Sequence, residues 1–164
     1  MTRHDGVAAV ERALSLLDAF TPQDAELPLA ELAKRTDLYK STVLRLARSL
    51  ERYGYMYRGE NGSFRLGSKL LHLGAMYQRH FRTAETVPPV LREIVAELHE
   101  GASFYVKDED RRLCLHRVEA PRSIRDSVSE GDRLVLTAGA AGHVIRAFTG
   151  GTGSRCEQVQ REMY

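Results

Sequence analysis

The chain has 164 residues, 43% of them hydrophobic and 28% charged, which suffices for one or two compact domains with a buried core. No apolar run approaches the roughly 18 residues of a membrane span, and the N-terminus lacks the basic and apolar segments of a secretory signal. The cysteines, Cys114 and Cys156, are far apart and in no metal-ligand spacing. These features favour a reduced, cytoplasmic protein with buried thiols over a disulfide framework.

Positive charge is concentrated in one part of the chain. Residues 1–82 carry 13 Lys and Arg against 9 Asp and Glu, whereas residues 83–164 carry 11 against 13. Within 37–69 the count is 7 against 3, so this window holds the whole excess of the first half. A local basic patch is typical of an element that contacts phosphates, although a solvated surface without a partner has the same composition.

The first three predicted helices have the order of a helix-turn-helix. Apolar residues at helical spacing predict a first helix over 6–20, and Pro28 introduces a second from Leu29 to about Thr36. After a tight turn, a third helix is predicted from Tyr39 to Tyr53, with Gly54 as its left-handed cap. A short helix, a turn and a longer helix with an exposed basic face make this arrangement.

The third predicted helix has two opposite faces. Apolar residues at i, i+3, i+4 and i+7 predict a buried face: Val43, Leu46, Ala47 and Leu50. Polar and cationic residues at i, i+4, i+7 and i+11 predict an exposed face: Ser41, Arg45, Arg48 and Arg52.

A β-hairpin is predicted next. Two β-prone runs, 55–58 and 63–66, flank Gly59-Glu60-Asn61-Gly62, and Asn-Gly favours a hairpin. Arg58 and Arg65 flank the turn, which predicts a wing that reaches a neighbouring phosphate or the minor groove. The order of two helices and a hairpin is much more specific than any one of them.

A fourth helix is predicted from Ser68, as its cap, to about Arg82. Its apolar stripe is Leu70, Leu73, Tyr77 and Phe81. Such a stripe is expected to pack against its counterpart in a second subunit, the alternative being packing within its own chain.

The second half of the chain combines helices and strands. A fifth helix is predicted from Thr86 and Pro88 until Gly101 ends it, with a buried face of Leu91, Ile94, Val95 and Leu98. Strands are predicted at 102–107, 112–118, 124–128 and 134–136. Small residues at 137–142 open a helix to about Phe148, and a last helix is predicted from Glu157 to Tyr164. The predicted fold class is therefore α+β.

With these elements in place, the chain resembles the IclR family of bacterial transcriptional regulators from Val7 to Tyr164. The matching segments are Val10-Glu11-Arg12-Ala13-Leu14, Leu29-x-x-Leu32-Ala33, Lys40-Ser41-Thr42-Val43-x-Arg45-Leu46, Gly54-Tyr55, Phe64-Arg65-Leu66-Gly67, Leu70-x-x-Leu73-Gly74, Arg117-Val118-Glu119, and Gly131 with the segment from Leu134 to Ala147. Each segment alone is a weak signal, but the combination is specific.

The resemblance implies a winged helix-turn-helix DNA-binding domain at 1–67, a linker helix used in dimerisation at 68–83, and the N-terminal part of an α/β effector-binding domain at 84–164. It implies a dimer or a dimer of dimers that binds double-stranded operator DNA and a small organic acid or aromatic effector, without a cofactor. The chain is expected to be a fragment of a longer protein, with the rest of the effector domain beyond residue 164.

The resemblance also implies an effector site at the small-residue helix start. The residues expected to line it are Leu134, Leu136, Ala138, Ala140 and Ala141. Backbone N–H groups near Ala140 and Ala141 would bind the effector, because a helix N-terminus without bulky side chains favours an anion. Family members commonly have Pro-Leu-His before the small residues and Lys after the glycine, where this chain has Val135-Leu136-Thr137 and His143, so its effector chemistry is expected to differ.

Two roles are assigned to the predicted DNA-binding residues. Ser41, Thr42 and Arg45 are the candidates for base edges, because they lie early on the helix that would enter the major groove. The candidates for phosphate contacts are Lys40, Arg48, Arg58 and Arg65. Arg52, near the helix end, is expected to be solvated.

Two other functions are compatible with parts of the sequence. Cys114 and His116 alternate on a predicted strand and point to one face, as a catalytic pair would, but no third group orients them. A core cysteine beside a half-exposed histidine is the favoured interpretation. The remaining alternative is a ligand-sensing or interaction module whose helix-turn-helix no longer binds DNA. His72, His80, His99 and His143 have no metal-binding spacing.

Overall fold

The structure, a computed structural model, describes residues 6–120 and 128–162. The chain divides into two compact units, Met1–Tyr77 and Gln78–Tyr164. The described elements are α1 (Ala8–Asp18), α2 (Leu29–Thr36), α3 (Lys40–Arg52), β1 (Met56–Arg58), β2 (Phe64–Leu66), α4 (Ser68–His80), α5 (Val87–Leu98), β3 (Ala102–Asp108), β4 (Arg111–Val118), β5 (Arg133–Val135), α6 (Gly139–Phe148) and α7 (Ser154–Glu162). No helix in these ranges is long and apolar enough to cross a membrane.

The first unit is a three-helix core closed by a small sheet. Its buried side chains come from α1, α2, α3 and both strands: Leu16, Leu27, Leu32, Val43, Leu46, Ala47, Met56 and Phe64. The hairpin β1–β2 is antiparallel, with Met56 opposite Leu66. Leu27 adds a single bridge to it through two 2.8 Å hydrogen bonds with the backbone of Phe64. The short segment before α2 therefore joins the hairpin to the helices, which local sequence patterns did not predict.

The loop between α1 and α2 is held by one arginine. Arg35 on α2 donates to the Asp24 carboxylate at 2.5 Å, to Glu31 at 2.8 Å and to the carbonyl of Ala19 at 2.9 Å. Asp24 also accepts from the backbone and hydroxyl of Thr21. The hydrogen bonds from Arg35 and Thr21 hold the pKa of Asp24 well below its ordinary value, and those same carboxylates raise the pKa of Arg35. The loop end of α1 is thus tied to α2.

Part of the apolar stripe of α1 lies outside the core of this unit. Leu16 is the helix's buried residue, whereas Val7, Val10 and Leu14 are each more than half exposed. Val10 and Leu14, together with residues of α3, line an open apolar groove of about 420 Å³. The helix is also shorter than the predicted 6–20, because the Thr21–Asp24 hydrogen bonds fix the following turn.

Helix α4 is shorter than predicted and buries no side chain. It ends at His80 rather than Arg82, because Arg82 adopts a left-handed backbone with φ of 50° that no α-helix continues. Phe81 therefore lies beyond the helix. Leu71 is 78% exposed, and Leu73, Met76 and Tyr77 are also exposed. Leu71 and Leu73 are thus exposed apolar residues of α4.

The second unit packs α5 against an antiparallel sheet in the order β3-β4-β5. The predicted buried face of α5 is only half right, because Leu91 and Val95 are buried whereas Ile94 and Leu98 are exposed. The helix also ends before Gly101, since His99 takes the left-handed cap position with φ of 56°. The sheet contacts only a narrow strip of the helix.

The remaining elements follow the predicted order. Strand β5 pairs with β4, with Leu134 opposite Arg112, and leads into α6, against which α7 packs. The last helix begins at Ser154, three residues before the predicted start. Of the predicted strand at 124–128, all residues except Val128 lie outside the described ranges, as do the last two residues of the predicted final helix.

Candidate nucleic-acid interface and effector-domain site

Helix α3 separates its apolar and cationic residues as its periodicity predicts. Val43, Leu46 and Ala47 are buried against α1 and α2, and Leu50 is half-buried. The opposite face is exposed and contains Ser41, Arg45, Arg48 and Arg52. The packing of the apolar face therefore fixes the direction in which the arginines point. A helix held in this way presents a rigid basic surface.

The N-terminal turn of α3 is open to a ligand. Lys40 is exposed, Thr42 is half-buried, and the first turn contains no acidic residue. Tyr39, the residue before the helix, is 85% exposed. Its ring and hydroxyl therefore belong to this surface, although the sequence pattern predicts only a helix start at Tyr39. The sequence feature that could have indicated this exposure is a large aromatic residue at a helix boundary, but periodicity does not predict burial at such a position.

The wing, residues 56–66, places its two arginines on different faces. Directly opposed residues of an antiparallel pair share a face, and the register pairs Tyr57 with Arg65 and Arg58 with Phe64. Arg65 lies over the exposed Tyr57 ring at 4.3 Å, whereas Arg58 lies 5.5 Å from the ring of the buried Phe64. The two arginines were predicted to act alike, but only Arg65 stands on the face away from the core.

A close backbone crossing fixes the wing to α3. Gly67, after β2, donates to the Tyr55 carbonyl at 2.8 Å, and Lys69 donates to the Gly54 carbonyl at 3.1 Å. A Cβ on Gly67 would lie only 2.1 Å from the Gly54 oxygen. Gly54 itself has φ of +76°, as its predicted role as a left-handed cap requires. These two glycines let the end of α3 and the start of α4 touch, so the wing stands beside α3.

The predicted effector residues gather where β5 leads into α6. Leu136 is buried, Leu134 and Ala141 are half-buried, and Ala138 and Ala140 are exposed. No side chain caps the first turn of α6, and it contains no acidic residue. Its free backbone N–H groups therefore carry the partial positive charge of a helix N-terminus.

An arginine that the sequence analysis did not single out lies beneath this turn. Arg112 on β4 is 9% exposed, and its Nη1 donates to the carbonyls of Val135 at 2.6 Å and Ala138 at 2.7 Å. Its guanidinium lies 5.2 Å from the centre of the Tyr105 ring. The sequence offered little clue, because Arg112 follows Arg111 at the start of β4 and either arginine could face solvent.

Cys114 and His116 do not form a pair. The Cys114 thiol donates to the His116 carbonyl rather than to its ring, while the His116 Nε2 lies 2.8 Å from the Thr83 hydroxyl. Burial raises the pKa of the Cys114 thiol, which disfavours the reactive thiolate. The expectation of a half-exposed histidine was wrong, since His116 is 7% exposed. Cys156 is buried as well, and the described residues contain no group of three or more potential metal ligands.

The comparisons with known proteins agree on one family. The model of the IclR helix-turn-helix domain matches residues 9–59. The regulator KipR of Bacillus subtilis is 27% identical over 139 residues, which are 85% of this chain and 55% of that protein. The regulator XynR of Escherichia coli is 29% identical over 145 residues, which are 88% of this chain and 58% of that protein. The chain therefore spans about half the length of the curated relatives it matches.

A solved structure has the same fold. The IclR homologue of Microbacterium hydrocarbonoxydans, crystallised with 4-hydroxybenzoate, superimposes with a TM-score of 0.77 at 20% identity, over 94% of this chain and 71% of that one. An N-terminal helix-turn-helix followed by an α/β domain is thus the fold of the chain. The IclR helix-turn-helix model thus covers residues 9–59, and over most of its length the chain is similar to IclR-type regulators.

Proposed function

We propose that the chain is the DNA-binding domain and part of the effector domain of a sequence-specific transcriptional regulator. In this proposal α3 enters the major groove, with Ser41, Thr42 and Arg45 at base edges. Lys40 and Arg48 bind phosphates beside it, and the wing arginines bind phosphates or the minor groove. The 1–67 domain binds duplex operator DNA, and the 68–83 linker helix joins it to the effector domain at 84–164.

The exposed cationic face of α3 is the observation that carries this proposal. Three arginines and a serine point outward from a helix whose other face is packed, and the wing follows directly after this helix. A rigid helix fixes the backbone from which each arginine reaches, and the planar guanidinium loses less freedom for each hydrogen bond it forms than a lysine would. A basic surface without a partner would not require its arginines to be aligned on one packed helix.

The regulator is proposed to act as a homodimer or a dimer of dimers in the cytoplasm. The support is the apolar stripe of α4, on which Leu73 is exposed, with the exposed Leu71 beside it. Two copies of a helix-turn-helix read two half-sites of an operator, which multiplies the specificity of one. The cytoplasm is the compartment in which a bacterial regulator meets its operator.

A small organic acid or aromatic compound is the proposed effector. The uncapped first turn of α6, with Ala138 and Ala140 exposed beside it, supports an anion-binding role. The Microbacterium homologue, whose fold is similar, was crystallised with an aromatic carboxylate. An effector that binds one conformation of the dimer better than the other would change the affinity for the operator.

Fluorescence anisotropy tests the proposal. The intact protein is titrated into a labelled duplex from its own upstream region and into a scrambled duplex, across a salt series. We expect binding at least about a hundredfold tighter to the native duplex, with an affinity that falls steeply with salt. The matched control is Arg92→Ala, which removes one exposed arginine from α5. It should bind as the natural protein does.

Equal affinity for both duplexes contradicts a sequence-specific regulator. No binding to either duplex, by protein that light scattering shows to be dimeric, favours instead a sensing module that no longer binds DNA. A duplex bound only at low salt, without preference, identifies the basic face as a general phosphate-binding surface.

A further inference from the structure

The buried side chain of Arg112 has fewer partners than its chemistry requires. Nη1 donates to two backbone carbonyls, but Nε is buried without any hydrogen-bond partner. Among the described residues no Asp or Glu forms an ion pair with it. A buried guanidinium with only neutral partners is costly, because carbonyl dipoles do not neutralise its charge.

The guanidinium lies against the first turn of α6. A Cβ on Gly142 would lie 2.7 Å from Nη1, and one on Gly139 would lie 3.3 Å from Nη2. The glycines thus leave the room that the guanidinium fills, and the Tyr105 ring lies on it from the sheet side. The charged group is held beside the N-terminus of the helix, at the β5–α6 loop.

Two positive features therefore meet at one place. The helix N-terminus carries partial positive charge, has no side-chain cap and no acidic residue in its first turn. Arg112 adds a full charge from below. Among the described residues no carboxylate forms an ion pair with Arg112, so an anion bound there would interact favourably with both features.

We propose that Arg112 is the charge-recognition residue for the carboxylate of the effector. The ligand class is a small organic monocarboxylate whose charged end binds at the first turn of α6, at the backbone N–H groups and beside the guanidinium. This inference rests on the proposed effector site and names the group that would select an acid over a neutral analogue. The bridge to Val135 and Ala138 would couple the bound anion to the β5–α6 loop.

Calorimetry on the intact natural protein tests this with matched ligand pairs: acetate and acetamide, pyruvate and pyruvamide, benzoate and benzamide. At least one acid should bind about tenfold to a hundredfold more tightly than its amide, as a charge-assisted hydrogen bond provides. In Arg112→Gln this ratio should collapse toward one. Arg112→Lys should keep a preference for the acid with lower affinity, and Arg92→Gln, which removes a distant exposed charge, should keep the full ratio.

The ratio of the affinities for acid and amide distinguishes a residue that recognises the carboxylate from one that only supports the loop. If Arg112 only supports the loop, Arg112→Gln lowers the affinity for acid and amide equally, which overturns the proposal. Binding of no acid in the panel, or equal binding of acid and amide by the natural protein, also overturns it. Should Arg112→Gln fail to fold, Arg112→Lys and the ligand pairs on the natural protein still decide. Ligand-free operator binding, measured by anisotropy, reports on the DNA-binding proposal independently of all these outcomes.

Discussion

The arginines of the first unit differ in what surrounds them, and this difference decides what each can recognise. Arg45 stands on a helix fixed by the buried Val43 and Ala47, with its side chain exposed. Arg65 stands on a two-stranded wing and stacks on Tyr57 at 4.3 Å. A rigid helical position suits a bidentate contact with a guanine edge, whereas a stacked wing arginine suits the continuous phosphate backbone.

We expect Arg45→Ala to lose specificity and Arg65→Ala to lose affinity in general. Arg45→Ala should remove about 1–3 kcal/mol of discrimination between native and scrambled duplexes. Arg65→Ala should weaken binding to both duplexes alike. It should also reduce the slope of log affinity against log salt concentration by about 1. Anisotropy titrations of both variants on both duplexes measure this. Equal losses for the two variants would contradict the division of roles.

At the scale of elements, the Asp24–Arg35 pair links the loop after α1 to α2. Folding lowers the pKa of Asp24, so the fold favours the carboxylate over the protonated acid. The resulting stabilisation is complete above the ordinary pKa of about 3.9 and is lost as the pH falls toward the lowered pKa of the folded protein.

Asp24→Asn should therefore lower the melting temperature at pH 7, and the difference from the natural protein should shrink steadily below about pH 4. Melting followed by circular dichroism between pH 2.5 and 7 measures it. Glu31→Gln is the matched control, since it removes the other, more exposed carboxylate of Arg35. Its effect should be smaller at pH 7. A difference for Asp24→Asn that is independent of pH would show that the pair does not stabilise the loop electrostatically.

The junction of α3, the wing and α4 depends on the backbone approach of Gly67 to Gly54. Gly67→Ala should destabilise the first unit by about 1–3 kcal/mol, because its Cβ would overlap the Gly54 carbonyl. Gly74→Ala, at an exposed site in α4 where a Cβ meets nothing within 4 Å, should stabilise the helix by about 0.5–1 kcal/mol. Urea unfolding measures both. A neutral Gly67→Ala would mean that the crossing adjusts freely.

At the scale of the whole molecule, α4 has exposed apolar residues. Leu73 lies on the apolar stripe, and His72 lies on the other side of the helix. If α4 pairs with a second copy, Leu73→Glu places a charge in that interface, whereas His72→Glu does not. Light scattering should show a monomer or a weakened dimer for Leu73→Glu and an unchanged dimer for His72→Glu. Equal behaviour of the two variants would argue against α4 as the interface.

The sequence by itself determined the order of the elements and the two faces of α3. Both depend on local periodicity, because apolar residues at i, i+3, i+4 and i+7 place one face in a core wherever that core lies. Ser41, Arg45 and Arg48 were exposed as predicted. The left-handed cap at Gly54 was equally local, since only its own φ is at issue.

Only the tertiary structure decided the features that depend on register and long-range contacts. The pairing of Tyr57 with Arg65 placed the two wing arginines on opposite faces, and the burial of His116 depended on Thr83 and Phe104, which lie far from it in sequence. Arg112 became a candidate site residue for the same reason. No pattern within β4 shows that a helix N-terminus lies over it, because that neighbour is brought there by the fold and not by the local sequence.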